Sequence, residues 1–158
     1  MSTAYVALGA NLGDPAATVR AAFAALANLP ESRVARSSSL YRTAPVGIKE
    51  QPEFVNAVAE LETALAPEAL LDQLLEIEQR FGRIRAERNG PRTLDLDLLL
   101  YDNQVVELPR LTLPHPRLHL RAFVLQPLAE IAPALAIPGR GTVAAWLPAV
   151  ANQGIVRL

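Results

Sequence analysis

Apolar and polar positions along the chain predict an alternation of strands and helices. Residues 4–8 form a short apolar run typical of a strand, and Asp14 followed by Pro15 indicates the start of a helix. This helix is expected to end before Pro30. Its apolar positions recur at the spacing of one helical face and are Val19, Ala22, Phe23 and Leu26.

The middle of the chain predicts two strands separated by a loop. Residues 33–41 are expected to form the first of these strands, and the prolines and glycine of residues 42–52 favour a loop. Residues 54–63 alternate as a strand does. One face of that strand would carry Phe54, Asn56 and Val58, and the other Val55, Ala57, Ala59 and Leu61.

A second helix is expected to begin at Pro67 and to end at Gly82. A polar, basic loop at residues 83–91 and a strand at residues 93–101 follow it. The order strand, helix, strand, strand, helix, strand predicts an α+β fold with a ferredoxin-like βαββαβ core. In that arrangement one antiparallel sheet has its helices on one face.

The Pro-rich remainder of the chain predicts a C-terminal extension of this core. We expect it to hold one short hairpin, a helix around residues 121–131 and a further short helix near residues 143–146. No repeat or linker divides the sequence, so residues 1–158 would form a single domain.

Composition narrows the class of protein. Apolar residues make up 51% and charged residues 20%, which is typical of a globular domain with its own core. A net charge of −1 argues against a general nucleic-acid-binding protein, and the lack of cysteine excludes disulfides and zinc–thiolate sites. Because the sequence shows neither a signal peptide nor a long apolar span, we expect a cytoplasmic, monomeric protein without nucleic-acid or membrane partners.

Two aspartates in the last predicted strand are candidates for a metal site. Asp95 and Asp97 would point to the same side of the strand, about 6.6 Å apart along the chain, while Leu94, Leu96 and Leu98 would enter the core. Mg²⁺ prefers such oxygen ligands and takes one or two carboxylates together with phosphate oxygens. A solvated strand face is the structural alternative for an isolated Asp-x-Asp.

Arginines cluster immediately before this strand. Of the 15 basic residues only Lys49 is a lysine, and Arg83, Arg85, Arg88 and Arg92 lie in one short segment. Guanidinium groups bind phosphate with a planar fork, so the arginines and the aspartates together favour a magnesium-bound polyphosphate. The structural alternative is a solvated basic loop with ion pairs to Glu78 and Glu87.

A polar residue in an otherwise apolar strand suggests a second ligand. The Asn56 amide has a donor and an acceptor side by side and matches the edge of a nitrogen heterocycle, and Phe54 on the same face could stack on such a ring. A core asparagine bonded to the backbone is the alternative. His115 lies between prolines that disfavour a helical metal pair with His119, so it either donates to a phosphate or orders its loop.

The chain resembles the 6-hydroxymethyl-7,8-dihydropterin pyrophosphokinases of folate biosynthesis. The resemblance covers nearly the whole sequence, and residues 88–99 are its most specific part. It rests on Gly-Ala-Asn-Leu-Gly-Asp at 9–14, Ser-x-Leu-Tyr-Arg-Thr-Ala-Pro at 38–45, Gln51-Pro52 through Asn56, Gly-Pro-Arg-Thr-Leu-Asp-Leu-Asp at 90–97 and Leu-Thr-Leu-Pro-His-Pro at 111–116.

The resemblance implies an activity and its ligands. Such enzymes transfer the β,γ-diphosphate of ATP to the hydroxymethyl oxygen of the reduced pterin and release AMP. It further implies that Asp95 and Asp97 hold two Mg²⁺ ions and that the pterin stacks between Phe54 and Phe123. The polar edge of the pterin would meet Asn56 and the segment formed by Thr43, Ala44, Pro45 and Val46.

The resemblance also implies a nucleotide site. Arg83 and Arg92 would contact the transferred phosphates and would be catalytic together with the two aspartates. The ATP site would comprise Glu78, Arg83, Arg85, Arg88, Arg92, Leu98, Arg110, Thr112, His115 and Arg121. The chain departs from the family at Asn89, where some members have Trp, and at Pro116, where some have Tyr. These two departures concern how the arginine loop seals the site and the details of nucleotide contact, and not the reaction.

Two other classes of protein are compatible with the residues. A ferredoxin-like module that binds RNA or a small regulatory ligand would expose aromatic side chains on its central strands, and only Phe54 approaches this. A magnesium-dependent phosphohydrolase would use the same aspartates without a pterin pocket. Product analysis with ATP separates these classes, because only the kinase forms AMP in a pterin-dependent manner.

Overall fold

A computed structural model describes residues 1–43, 52–82 and 93–158. The strands are β1 (Ser2–Ala10), β2 (Ser32–Ser37), β3 (Tyr41–Thr43), β4 (Phe54–Thr63), β5 (Asp95–Tyr101), β6 (Val106–Leu108), β7 (Leu111–Leu113), β8 (Ala136–Ile137), β9 (Gly141–Thr142) and β10 (Ile155–Arg157). The helices are α1 (Pro15–Ala27), α2 (Pro67–Arg80), α3 (Ala122–Ile131) and α4 (Val143–Trp146), with short 3₁₀ helices at Leu118–Leu120 and Leu147–Val150.

Within the described ranges, six strands form one antiparallel sheet. Five of them follow the order β10-β3-β4-β1-β5, and β2 pairs with β4 as well. The strand predicted at residues 54–63 is confirmed with the same bounds. Its faces are also confirmed, because Val55, Ala57, Ala59 and Leu61 enter one core while Val58 enters another. The centre of the sheet is therefore apolar on both sides.

The strand predicted at residues 33–41 is divided into β2 and β3, which pair with different parts of β4. The division falls at Ser38, whose hydroxyl oxygen accepts a 2.9 Å hydrogen bond from the backbone N–H of Val58. A serine side chain thus takes the place of a backbone acceptor in the ladder. The loop predicted from residue 42 begins later, because Arg42 and Thr43 belong to β3.

The first face of the sheet is covered by α1 and α2, as predicted. Asp14 caps α1 by accepting a 3.1 Å hydrogen bond from the Ala17 N–H, and Gly82 follows α2 with a φ of +73° that favours glycine. The core between sheet and helices is built from buried aliphatic side chains, among them Leu8, Leu26, Leu61, Leu70, Leu74, Ile77, Leu94, Leu96 and Leu98.

The second face of the sheet is covered by α3, against which α4 packs. The sequence predicted these two C-terminal helices but not the face that they cover. Ala7, Val58 and Leu100 pack there against Leu125 and Leu128 of α3. The physical reason is that β1 and β4 carry apolar side chains on both faces, and a second helical layer is needed to remove the outer ones from water.

The C-terminal part contains the predicted hairpin, β6–β7, and both predicted helices. It also contains two features that the sequence pattern did not predict. These are the two-stranded ribbon β8–β9 and the last strand β10, which extends the main sheet by pairing with β3. Within the described part of the chain, no helix has the length and apolar character needed to span a bilayer.

Candidate active site

Gly9 separates two candidate site residues on neighbouring strands. In the sheet register Gly9 of β1 pairs with Asn56 of β4 on one side and with Asp95 of β5 on the other. A Cβ atom added at Gly9 would lie only 2.8 Å from Nδ2 of Asn56. The missing side chain therefore leaves the space that the Asn56 amide uses, on the face of the sheet that α3 covers.

Asp97 lies in the next row of the same face. It pairs with Ala7, which pairs in turn with Val58 of β4. Both aspartates are partly buried, while Leu94, Leu96 and Leu98 are buried in the opposite core. The prediction that the two carboxylates share one face of a strand and the leucines the other is confirmed.

Glu78 supports the strand that carries the aspartates. Its side chain is buried, and Oε2 accepts a 2.7 Å hydrogen bond from the backbone N–H of Leu96. Among the described residues β5 lies at the edge of the sheet, and this carboxylate supplies an acceptor for one of its backbone donors. Glu78 therefore holds the backbone between Asp95 and Asp97, and its predicted contact with ATP stays a prediction.

A threonine side chain holds the amide oxygen of Asn56. Thr43 Oγ1 donates a 2.7 Å hydrogen bond to Asn56 Oδ1, and both residues are buried. Thr43 belongs to β3, which pairs with the first residues of β4. Of the predicted pterin-binding segment only Thr43 lies in the described part of the chain, since Ala44, Pro45 and Val46 lie outside it.

The two predicted stacking rings lie on the side of the sheet that α3 covers. Phe54 is half-buried on β4, two residues from Asn56, and Phe123 is half-buried near the start of α3. The guanidinium carbon of Arg121 lies 5.3 Å from the centroid of the Phe123 ring, within the range of a cation–π contact. A residue predicted to contact nucleotide is thus adjacent to one predicted to contact pterin.

His115 orders the chain beside β5. Its backbone N–H donates to the Leu99 carbonyl over 2.9 Å, and its Nδ1 accepts a 3.2 Å hydrogen bond from the Arg117 N–H. Burial, together with the positive charges of Arg121 and Arg117, lowers the pKa of His115 to about 4. The imidazole is therefore neutral at pH 7 and carries its proton on Nε2, which makes Nε2 a hydrogen-bond donor.

The β6–β7 hairpin supplies two more predicted residues. Arg110, in its turn, is hydrogen-bonded to Asp72 of α2, and that bond raises the pKa of the guanidinium. Thr112 is exposed on β7, which contacts β5. Leu98 is buried in β5, whereas the predicted Arg83, Arg85, Arg88 and Arg92 lie outside the described residues.

Two further polar residues, Asn11 and Glu130, make hydrogen bonds that were not predicted from the sequence. Asn11 is buried and donates a 3.0 Å hydrogen bond from Nδ2 to the Pro52 carbonyl. Glu130 accepts hydrogen bonds from Tyr41, Ser39 and Arg157. Asn11 could have been suspected from the motif at residues 9–14, but the partners of Glu130 are distant in sequence and left no signal.

The donor set formed by Asp95 and Asp97 fits a hard cation. Within the described ranges no group of three or more His, Cys, Asp or Glu side chains could hold a metal ion by itself. Two carboxylates with phosphate oxygens and water completing the shell are what Mg²⁺ takes in nucleotide-dependent enzymes. The residues present therefore fit magnesium delivered with a polyphosphate.

An antiparallel sheet between two helical layers, with paired carboxylates beside a buried amide, suits an α+β enzyme that acts on a phosphorylated ligand. The family model for 7,8-dihydro-6-hydroxymethylpterin-pyrophosphokinase (HPPK) matches residues 5–133. The 2-amino-4-hydroxy-6-hydroxymethyldihydropteridine pyrophosphokinase of Pseudomonas aeruginosa is 50% identical over 154 residues, covering 98% of this chain and 95% of the relative. The protein of that name from Haemophilus influenzae is 44% identical over 158 residues, covering 100% and 99%.

Solved structures support the same fold. An HPPK-DHPS crystal structure in complex with substrates matches with a TM-score of 0.73 at 14% identity. Plasmodium falciparum HPPK-DHPS with pteroate matches with a TM-score of 0.76 at 13% identity. Both matches cover 94% of this chain but only 43% and 42% of those longer chains. The chain belongs to the HPPK family, and it is an ATP-dependent pyrophosphokinase.

Proposed function

We propose that the chain performs the reaction of its family on the face of the sheet where Asn56, Gly9 and Asp95 form one row. Family membership makes it an enzyme of folate biosynthesis that transfers the pyrophosphoryl group of ATP to 6-hydroxymethyl-7,8-dihydropterin. The sheet register of Gly9 is the observation that supports this location. It brings the Asn56 amide, which suits a heterocycle, close to the Asp95 carboxylate, which suits magnesium.

The pterin would lie between β4 and α3. Asn56, with its Oδ1 held by Thr43, would present the amide to the polar edge of the pterin. Phe54 and Phe123 would stack on the ring, since both are half-buried on the covered face. By resemblance to the family, Ala44, Pro45 and Val46 would also contact the pterin.

The diphosphate would lie over β5. Asp95 and Asp97 would hold two Mg²⁺ ions, which would neutralise developing phosphate charge and acidify the attacking hydroxyl. Arg83 and Arg92 would pair with the transferred phosphates through their planar forks. The chain's own task is then mainly to orient the two substrates and to exclude water.

The rest of ATP would extend towards the β6–β7 hairpin. The neutral imidazole of His115 would donate from Nε2, and Arg121 would supply positive charge beside it. Thr112, Arg110 and the backbone at Leu98 would line the nucleotide. Glu78 would support β5 through its hydrogen bond with the Leu96 N–H. Arg85 and Arg88 are proposed ATP contacts by resemblance alone.

The finer structural and cellular assignments are also proposals. If β2 and β3 count as one interrupted strand, the order of the sheet is that of a ferredoxin-like βαββαβ core with residues after β5 as a C-terminal extension. We further propose one domain over residues 1–158, a monomeric state, a cytoplasmic location and no nucleic-acid or membrane partner.

The test is a product analysis with ATP and Mg²⁺ in the presence and absence of the reduced pterin. The proposal predicts that AMP and the pterin diphosphate form in equal amounts and only when the pterin is present. Release of ADP or free phosphate without pterin would instead indicate a phosphohydrolase. Absence of any turnover, combined with tight RNA binding, would indicate the non-enzymatic class.

A further inference from the structure

The helix that carries Phe123 lacks a capping side chain of its own. Arg121 occupies the N-cap position of α3 with extended backbone angles, φ −126° and ψ 117°, and its side chain makes no capping hydrogen bond. Arginine has no acceptor atom that could serve. The first N–H groups of a helix nevertheless need acceptors.

Gln153, from the end of the chain, supplies the acceptor. Its Oε1 accepts a 2.8 Å hydrogen bond from the Ala122 N–H, and its Nε2 donates a 3.0 Å hydrogen bond to the Leu120 carbonyl. The two bonds lie on either side of Arg121. One side-chain amide therefore fixes the backbone of residues 120–122 at two points, as a neighbouring strand would.

Gln153 is itself anchored to the strand that carries Thr43. Its own N–H donates to the Val150 carbonyl over 3.0 Å, and two residues later Ile155 pairs with Thr43 in the sheet. Arg157 then donates a 2.8 Å hydrogen bond to Glu130 near the end of α3. The C-terminal segment, residues 153–158, thus joins both ends of α3 to β3.

The position of residues 120–122 matters for both substrates. Arg121 and Phe123 are half-buried and in mutual contact, with 5.3 Å between the guanidinium carbon and the ring centroid. A shift of the backbone between them would move the proposed nucleotide-contacting cation and the proposed pterin-stacking ring together. A residue that fixes this backbone would affect binding of both ligands.

We propose that Gln153 is a positioning residue of the active site. Its side-chain amide fixes the positions of Arg121 and Phe123 relative to the hydrogen-bonded pair Thr43 and Asn56. This proposal rests on the proposed function of that site. It assigns Gln153 no contact with either substrate. It also gives the C-terminal segment a role in the reaction through the backbone of residues 120–122.

The test compares Gln153→Met with wild type in the full chain. Methionine keeps the length of the side chain and removes both hydrogen bonds. We expect the affinities for a non-hydrolysable Mg-ATP analogue and for the pterin to fall about three- to tenfold each, as loss of ordinary hydrogen bonds allows. KM for both substrates should rise by more than kcat falls, and the Ala122 amide should exchange its hydrogen several-fold faster.

Two further variants make the result specific. Gln126→Met changes an exposed glutamine on the same helix and should leave both affinities at the wild-type value. Gln153→Glu keeps an acceptor for the Ala122 N–H but no donor for Leu120, so its affinities should lie between those of wild type and Gln153→Met. If Gln153→Met does not fold, the affinities of Gln153→Glu are compared with those of wild type instead.

Wild-type affinities in Gln153→Met, or in Gln153→Glu where only that variant folds, would overturn the proposal. Equal losses in Gln126→Met would also overturn it, because they would show a general effect of altering α3. If wild type bound neither ligand, the proposed function would fail. Exchange at Ala122 would then still decide whether Gln153 holds this backbone.

Discussion

Thr43 and Asn56 are joined by a 2.7 Å hydrogen bond in which the threonine hydroxyl donates to the amide oxygen. The bond fixes which end of the amide is the acceptor, and it leaves Nδ2 beside Gly9. Because both residues are buried, the orientation is set before any ligand arrives. A preset donor and acceptor pattern lowers the entropic cost of recognising one edge of a heterocycle.

Replacing Asn56 should weaken the binding of one substrate much more than that of the other. We expect Asn56→Ala to weaken pterin binding by about 1–3 kcal/mol, since groups on the heterocycle would lose their partner in a buried site. Binding of Mg-ATP should change far less. Calorimetry with each ligand gives the comparison, and Thr43→Val should show the same preference with a smaller loss. Equal losses for both ligands would mean that Asn56 has only a folding role.

Adding one methyl group at Gly9 should disturb the same amide. Gly9→Ala would place Cβ 2.8 Å from Nδ2 of Asn56, so the amide must turn away or the strands must part. We expect a stability loss of about 1–3 kcal/mol and a large fall in pterin affinity. Gly154→Ala is the matched control for the stability loss, because a Cβ there has no neighbour within 4 Å among the described residues. A fully active Gly9→Ala enzyme would contradict the close approach.

Glu78 should contribute to the stability of β5. We expect Glu78→Leu to lower the free energy of unfolding by about 1–3 kcal/mol, since the Leu96 N–H would lose a buried acceptor. Glu78→Gln retains an acceptor oxygen and should lose less than half as much. Urea unfolding curves measure both. The exposed Glu76 on the same helix provides the control, and a Glu78→Leu protein as stable as Glu76→Leu would refute the role.

Acid should destabilise the protein through His115. Its folded-state pKa of about 4 lies below the ordinary value of 6.5, so between these values the unfolded chain binds the proton more readily. Stability should therefore fall as the pH drops from about 6.5 to about 4, by at most about 3 kcal/mol. His115→Asn keeps an acceptor for the Arg117 N–H and should show a shallower fall. Identical pH profiles of the two proteins would contradict the assignment.

Local signals predicted the elements whose causes are local. Asp14 and Pro15 predicted the start of α1, and the alternation of residues 54–63 predicted both ends and both faces of β4. The shared face of Asp95 and Asp97 followed from the two-residue period of a strand. The family resemblance was equally local, since it rested on short contiguous motifs.

Features that depend on distant partners could not be predicted. The gap between β2 and β3 depends on the Ser38 hydroxyl reaching Val58, and the need for glycine at position 9 appears only once the register with Asn56 is known. The second helical layer could not be predicted, because the sequence pattern does not show that α3 packs against β4. Contacts such as those of Gln153 and Glu130 join residues far apart in the chain, and no periodicity reports them.

The central claim is that Asp95 and Asp97 hold the magnesium of the reaction, and Asp97→Asn tests it most directly. The measurement is AMP formation from ATP and the reduced pterin as Mg²⁺ is titrated, alongside thermal unfolding without metal. An amide has nearly the size of a carboxylate but is a poorer ligand for magnesium. The account predicts an intact fold, unfolding at the wild-type temperature or above, and loss of most turnover at every magnesium concentration. A variant with near-normal, magnesium-dependent AMP formation would contradict it.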